Sequence, residues 1–355
     1  VFFATVALTV VMYIQIPKGF FPVQDTGVIQ GISEAPQSAS FSAMAEYQQQ
    51  LAKIILDDPA VESLSSFIGV DGINMTPNAG RFLINLKPHA ERQISASAVI
   101  ERLKEQLSKR TDVALYLQPV QDLTLENRVS RTQYQLTLET PDIQVLNKWT
   151  LKLVAALAEQ SALSDVTSDV QDQGRQRYVN IDRSTASRLG VSTSAIDTAL
   201  YNAYGQRLIS TIFTQANQYR VVLEVDPLAQ TSPEALNELR VPSSSGTQVP
   251  LSAIAELSER PTPLAINHLD QFPVANVSFN LAPGSSLSHA LQAIERVKQE
   301  IDLPISIRIN FQGVAQAFEA SLQNTLWLIL AAIVTVYIVL GVLYESYIHP
   351  LTILS

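Results

Sequence analysis

The sequence predicts an α+β protein built from two split βαβ modules, the second interrupted by an insertion, with an apolar helix at either end. Three observations predict it. Strand-period and helix-period segments alternate along the middle of the chain. Their order, strand-helix-strand-strand-helix-strand, occurs twice. Uncharged apolar runs occupy residues 1–16 and 326–344.

The terminal runs come first because they bound the rest. Leu326–Tyr344 carries no charge, and at about 1.5 Å per residue it is long enough to cross a hydrocarbon core of ~30 Å. Val1–Ile16 is likewise uncharged but shorter. It has no basic segment and no small-residue cleavage site before Pro17, so it reads as a membrane span cut at its start and not as a secretory signal. After Tyr344 a short break leads to Pro350 and a renewed apolar run, read as the start of a further span over 350–355.

In the first module, 27–125, Val28–Ile32 reads as a strand and Phe41–Leu56 as a helix with Tyr47, Leu51, Ile54 and Ile55 on one face, closed by Pro59. Val61–Ile68 follows as a strand. After a Gly- and Asn-rich loop, a strand carries Phe82, Ile84 and Leu86, a helix carries Val99, Leu103 and Leu107, and a last strand carries Val113, Leu115 and Leu117. This is the ferredoxin-like order.

The second module, 126–172 and 261–315, begins with a strand at Tyr134, Leu136 and Leu138, a helix at Leu146, Trp149, Leu153 and Leu157, and a strand near Val166–Val170. Its other half follows much later: a strand at Val277, Phe279 and Leu281, a helix at Leu287, Leu291, Ile294 and Val297, and a strand at Ile305, Ile307, Ile309 and Phe311. The insertion, 173–260, reads as a separate α+β subdomain. Its hairpin Arg240–Leu251, tipped by Ser243, Ser244, Ser245 and Gly246, is expected to be its most exposed feature.

Composition excludes several functions. There is no Cys, so neither disulfides nor thiolate metal sites can form, and the net charge of −9 argues against nonspecific nucleic-acid binding. The four His residues, His89, His268, His289 and His349, have no metal-ligand spacing. No residue pattern suggests bond-making catalysis or a cofactor, and Glu345 at a span end reads as a solvated anchor.

Pro17–Gly27 is similar to the element after the seventh span of resistance-nodulation-division (RND) transporters, and Val339–Pro350 resembles the end of their eighth span. Asp182–Val191 resembles the start of that family's docking subdomain. Asn202–Ile212 resembles the MdtB and MdtC subgroup; within it Ser130–Gln135 and Asn267–Pro273 are similar to the MdtB-like branch, and Val225–Pro227 to the MdtC-like one. The resemblance implies a proton-driven multidrug efflux pump of the bacterial inner membrane with its large domain in the periplasm. It implies a trimer, with an MdtC-like paralogue or of identical subunits, joined to a periplasmic adaptor and an outer-membrane channel and exporting amphiphilic drugs or bile salts. This chain would supply two porter subdomains and one docking subdomain. A SecD/SecF-type export component shares paired spans and ferredoxin-like units but is not expected to hold the 173–260 insertion, and a membrane-anchored sensor or binding module would need an output domain.

By family position the loop Gly69–Asn78 matches the switch loop; Gly69 and Gly72 permit hinge-like dihedrals, and Gly69, Val70, Asp71 and Gly72 are counted among the substrate-binding residues; relatives are Phe-rich here, whereas this chain offers Val70, Ile73 and Met75. Binding of varied apolar molecules needs adaptable aromatic and aliphatic walls, which nominates Phe67, Phe82, Leu83, Tyr116 and Leu117. Neighbours on a strand point to opposite faces, so if Leu115 and Leu117 make the core, Tyr116 faces the other side. Ser243–Gly246 would meet the outer-membrane channel by family position.

Overall fold

The computed structural model describes residues 2–16, 23–70, 76–107, 112–122, 130–226 and 235–354. Asp71 and Gly72, with most of the Pro17–Gly27 junction, lie outside the described residues. Two compact units are present, one of residues 1–174 with 263–355 and the other of 175–262.

After α1 (Phe2–Gln15), the first module forms as β1 (Val28–Glu34), α2 (Phe41–Leu56), β2 (Val61–Ile68), β3 (Ala79–Leu86), a short α3 (His89–Arg92), α4 (Ala96–Leu107) and β4 (Ala114–Pro119). Helix α2 starts where the hydroxyl of Ser40 accepts the amide of Ala43, relieving one of the donors a helix start leaves unpaired. The antiparallel sheet has the order β2-β3-β1-β4. Alternation sends Ile29, Phe82, Ile84 and Leu117 to one face, where Leu51, Ile55, Val99 and Leu103 of α2 and α4 bury them. Each such side chain contributes about 1.5–3 kcal/mol of transfer free energy.

The second module opens with β5 (Tyr134–Glu139), α5 (Ile143–Ala158) and β6 (Leu163–Ser168). Asp142 caps α5, accepting the amides of Gln144 and Val145. Strand β6 lies earlier than Val166–Val170, because Leu163 is the buried residue that pairs with Leu281, while Asp169 and the residues after it leave the ladder.

The unit 175–262 contains β7 (Gly174–Ile181), α6 (Arg183–Arg188), α7 (Thr193–Tyr204), β8 (Arg207–Phe213), β9 (Gln218–Leu223), α8 (Ala235–Glu238), β10 (Arg240–Pro242), β11 (Gln248–Pro250) and β12 (Ala255–Thr262). Asp182 caps α6; bonds from Thr185 and Ser184 hold its carboxyl well below the usual carboxylate range. Ser192 caps α7. The small core comprises Ala186, Val191, Ile196, Val241, Val249, Leu251 and Ile254.

The chain then completes the second module with β13 (Asn267–Leu269), β14 (Phe272–Leu281), α9 (Leu287–Glu300) and β15 (Arg308–Gln312). Ten residues long, β14 pairs along one edge with β13 and then β6, and along the other with β5, which in turn pairs β15. Both modules thus share one strand order. The final strand is shorter than the run of isoleucines predicts: Ile305 is fully exposed in a turn after Pro304, and Ile307 is buried just before the strand begins.

Helices α10 (Gly313–Leu343) and α11 (His349–Leu354) end the chain. The expected flanking spans do not emerge from these elements, since among the described residues no helix is long and apolar enough to cross a membrane. The 14 residues of α1 rise about 21 Å, less than a ~30 Å core. In α10 the described apolar side chains run from Trp327 to Leu343, about 26 Å, and they are exposed on every side of the helix, Trp327 to 71% and Val342 to 75%.

Candidate functional site

The face of the first sheet turned away from α2 and α4 is the strongest candidate. Register aligns it in two rows across the four strands. One row runs Phe67, Arg81, Ile32, Tyr116; the other runs Ser65, Leu83, Gln30, Gln118. Phe67 and Leu83 remain 47% and 42% exposed, enough for each to offer apolar surface to a ligand. The Arg81 guanidinium lies over the Phe67 ring, 5.2 Å from its centroid, which holds the ring against the sheet. Within the second row, Gln30 Nε2 is buried without a hydrogen-bond partner among the described residues, a donor set beside the Leu83 side chain.

The face is fixed from below by Gln48 of α2, which is buried. Its Nε2 donates to the carbonyls of Arg81 and Phe67, while its Oε1 accepts from Ser33. Gly80 makes room for this: a Cβ there would stand 2.6 Å from Gln48 Oε1 and 2.7 Å from Ser33 Oγ. Gly69 ends β2 at φ 87°, a conformation costly for other residues, and a Cβ there would touch the Phe41 ring at 3.4 Å. Val70, just beyond, is 67% exposed.

At its other edge the face meets the second module. Tyr116 donates to Thr167 Oγ1 at 3.3 Å, and burial pushes its hydroxyl pKa upward. Arg131 Nε donates to Glu34 Oε2 at 2.7 Å, and Gln171 Nε2 donates to the other oxygen of Glu34. Burial alone would lower the Arg131 pKa, but the Glu34 carboxylate beside it raises it.

Of the residues the sequence nominates, Phe67, Leu83 and Tyr116 share this face, and Gly69 with Val70 lies at its rim. Phe82 and Leu117 are corrected: both are core residues on the helix side, 1% and 3% exposed, because strand parity opposes each to its exposed neighbour. Sequence reading missed Arg81, Gln30 and Gln48. Their signal is the alternation itself, since the polar partners of Leu83 and Phe67 become visible only once register is set.

The hairpin β10–β11 also departs from expectation. Ser243 is buried, donates to the Leu189 carbonyl at 2.7 Å and anchors the tip, whereas Ser244, Ser245 and Gly246 are exposed. A different hairpin, β8–β9, exposes far more apolar surface, with Phe213 at 71% and Ile209, Ile212 and Tyr219 above half. Among the described residues no group of three or more His, Cys, Asp or Glu is placed to hold a metal ion.

Residues 1–355 match the AcrB/AcrD/AcrF family. The chain belongs to that family. Its fold is similar to that of a heavy metal efflux pump solved in two crystal forms, with a TM-score of 0.85 at 18% identity for form II and 0.83 at 17% for form I. Each comparison covers 99% of this chain, which spans 37% of the pump chain. At such identity the likeness is one of fold. In this AcrB/AcrD/AcrF family member, two modules of one strand order carry sheet faces of unlike chemistry. The open face of the first holds Phe67, Leu83 and Ile32; the corresponding face of the second holds Gln135, Thr137, Asn276, Ser278 and Asn310, of which Thr137 and Ser278 are buried.

Proposed function

We propose that this chain is the porter and docking part of an RND efflux transporter, and that the open face of the first sheet receives apolar parts of the exported molecule. The observation that carries the reading is the pair of rows through Phe67 and Leu83: exposed aromatic and aliphatic surface with one orphan amide donor, Gln30 Nε2, on a scaffold of the AcrB/AcrD/AcrF family. Sites for chemically varied ligands combine apolar walls with few fixed polar groups. The nominated loop Gly69–Asn78 begins at the rim of this face, where a change in its backbone would alter access.

In this reading the cargo is an amphiphilic drug or bile salt, not a heavy metal, since the face offers no Cys, His or Met. The flanking apolar helices anchor the protein in the bacterial inner membrane, with both modules and the inserted subdomain in the periplasm. Support comes from α10, whose exposed apolar side chains would aggregate in water but suit lipid. The working pump is a trimer, in the MdtB-like reading with an MdtC-like paralogue, coupled to proton antiport and joined to a periplasmic adaptor and an outer-membrane channel. The exposed residues Ser244–Gly246 are the assigned docking tip.

The test is export by the full-length transporter in a pump-deficient strain. Phe67→Ala and Leu83→Glu are expected to raise accumulation of a fluorescent amphiphile several-fold at normal protein level. Glu101→Ala, on α4 at the opposite side of the sheet, is the control. Export unchanged in both variants overturns the reading.

A further inference from the structure

A small cavity in the second module lies apart from the open face described above. It has a volume of about 20 Å³, enough for one water molecule or one small ion. Its walls include Asp169, Gln171, Asn147 and Asn267, with Leu146 and Val274 as apolar cover.

Asp169 is held in place from three directions. Its Oδ1 accepts the backbone amide of Asn276 at 2.7 Å, and its Oδ2 accepts the side-chain amides of Asn276 at 2.7 Å and Asn267 at 2.8 Å. Thr137 donates to Asn276 Oδ1 at 2.8 Å, which orients that carboxamide so that its amino group faces Asp169. Asn267 in turn has spent an N–H on Asp169, leaving its side-chain oxygen as an acceptor.

Gln171 supplies the independent observation. The residue is only 4% exposed, and its Nε2 is committed to Glu34, which fixes the orientation of the carboxamide. Its Oε1 is buried with no hydrogen-bond partner among the described residues. A buried acceptor without a donor costs about 1–3 kcal/mol, so this oxygen, on a residue that lines the cavity, calls for a positively polarised guest.

Charge points the same way. Asp169 and Glu34 bring two carboxylates to this region, and Arg131 brings one guanidinium, paired with Glu34 and felt by Asp169. One negative charge is left over. Burial makes that charge unfavourable, which is why the Asp169 carboxyl is pushed above its ordinary pKa despite its hydrogen bonds.

We propose that this cavity binds one hard monovalent cation of sodium size, ligated by Asp169 and by side-chain oxygens of Gln171, Asn147 and Asn267. The donor set is all oxygen, which suits a hard ion and disfavours soft metals. A single uncompensated charge matches one positive charge better than two. The bound ion would tie α5 to the β6–β7 connection and to β13, stiffening the corner of the module from which the chain leaves for β7.

The experiment measures thermal unfolding of the intact purified chain at constant ionic strength, with sodium chloride replacing choline chloride, alongside sodium-23 NMR line broadening. A saturable Tm rise of about 3 °C with sodium, and a broadened sodium signal, are expected. Gln171→Leu and Asn147→Leu are expected to abolish both; Asn147→Leu leaves the Glu34–Arg131 pair untouched, so loss of fold and loss of binding are distinguishable. Identical Tm in sodium, potassium and choline means that the cavity holds only water and overturns the proposal. A Tm that follows pH but not cation identity means that a proton balances Asp169, which overturns it equally.

Discussion

Lys104 Nζ of α4 stands 2.6 Å from Asp165 Oδ2 of β6, an ion pair that joins the first module to the second. A bulge makes it. Opposite Ser278 and Asn280 the register of β6 shifts, and Asp165 takes a left-handed backbone with φ 51°. That turns the carboxylate toward Lys104 and lets the same oxygen accept Asn280 Nδ2 at 2.9 Å. Together with Glu34–Arg131 and Tyr116–Thr167, the contact between the modules is polar throughout these residues.

A polar contact of this kind weakens in salt. Both Lys104 and Asp165 side chains are 29% exposed, so Lys104→Met is expected to cost about 0.5–1 kcal/mol at low ionic strength. Urea unfolding should find the difference shrinking toward zero in 1 M salt, where the screening length is about 3 Å. A loss that is the same at both salt levels would assign the role to packing of the lysine stem.

The pair Asp58–Arg102 behaves differently because the Asp58 side chain is 0% exposed. Arg102 grips both its oxygens, at 2.8 and 2.6 Å, and Oδ1 also accepts the amide of Ala60, shaping the turn between α2 and β2. Asp58→Ala is expected to destabilise the module by about 3 kcal/mol, since it leaves that amide and the guanidinium without their partner. Glu101→Ala, on the same helix as Arg102 and 72% exposed, is expected to stay within about 0.5 kcal/mol by the same urea measurement.

Acid sensitivity has a local source at Asp25. The bond from Arg92, 2.6 Å long, lowers its pKa from 3.8 to about 2, with help from the amides of Ala96 and Gly27. A depressed carboxylate contributes stability that is complete above pH 4 and disappears as pH falls toward 2. The wild-type chain is therefore expected to lose stability more steeply than Asp25→Asn across pH 4 to 2, and the two curves should converge at pH 2. Parallel curves would place the acid-labile group elsewhere.

Much of the fold was legible because hydrophobic period and helix punctuation agree. Pro59 marks a stop, and Phe41–Leu56 and Val61–Ile68 occupy the predicted residues. Where the reading failed, a longer-range force decided. Ile305 and Ile307 continue the alternation of Ile309 and Phe311, but the turn at Pro304 excludes them from the ladder. At the site, parity separates Tyr116 from Leu117 and Phe82 from Leu83, yet it needs register to reveal that Arg81 supports Phe67. The cavity at Asp169 was invisible for the same reason, since its four polar residues come from three separate stretches of chain.

Contact between the open face of the first sheet and the exported molecule can be tested by chemical protection. This chain contains no Cys, so Leu83→Cys and the control Ser245→Cys, in the other unit, each introduce a single thiol into it. In the full-length transporter on a background without other thiols, labelling by a maleimide is measured with and without a saturating amphiphilic substrate. Substrate is expected to slow labelling at position 83 several-fold and to leave position 245 unchanged. Equal labelling at position 83 with and without substrate would contradict it.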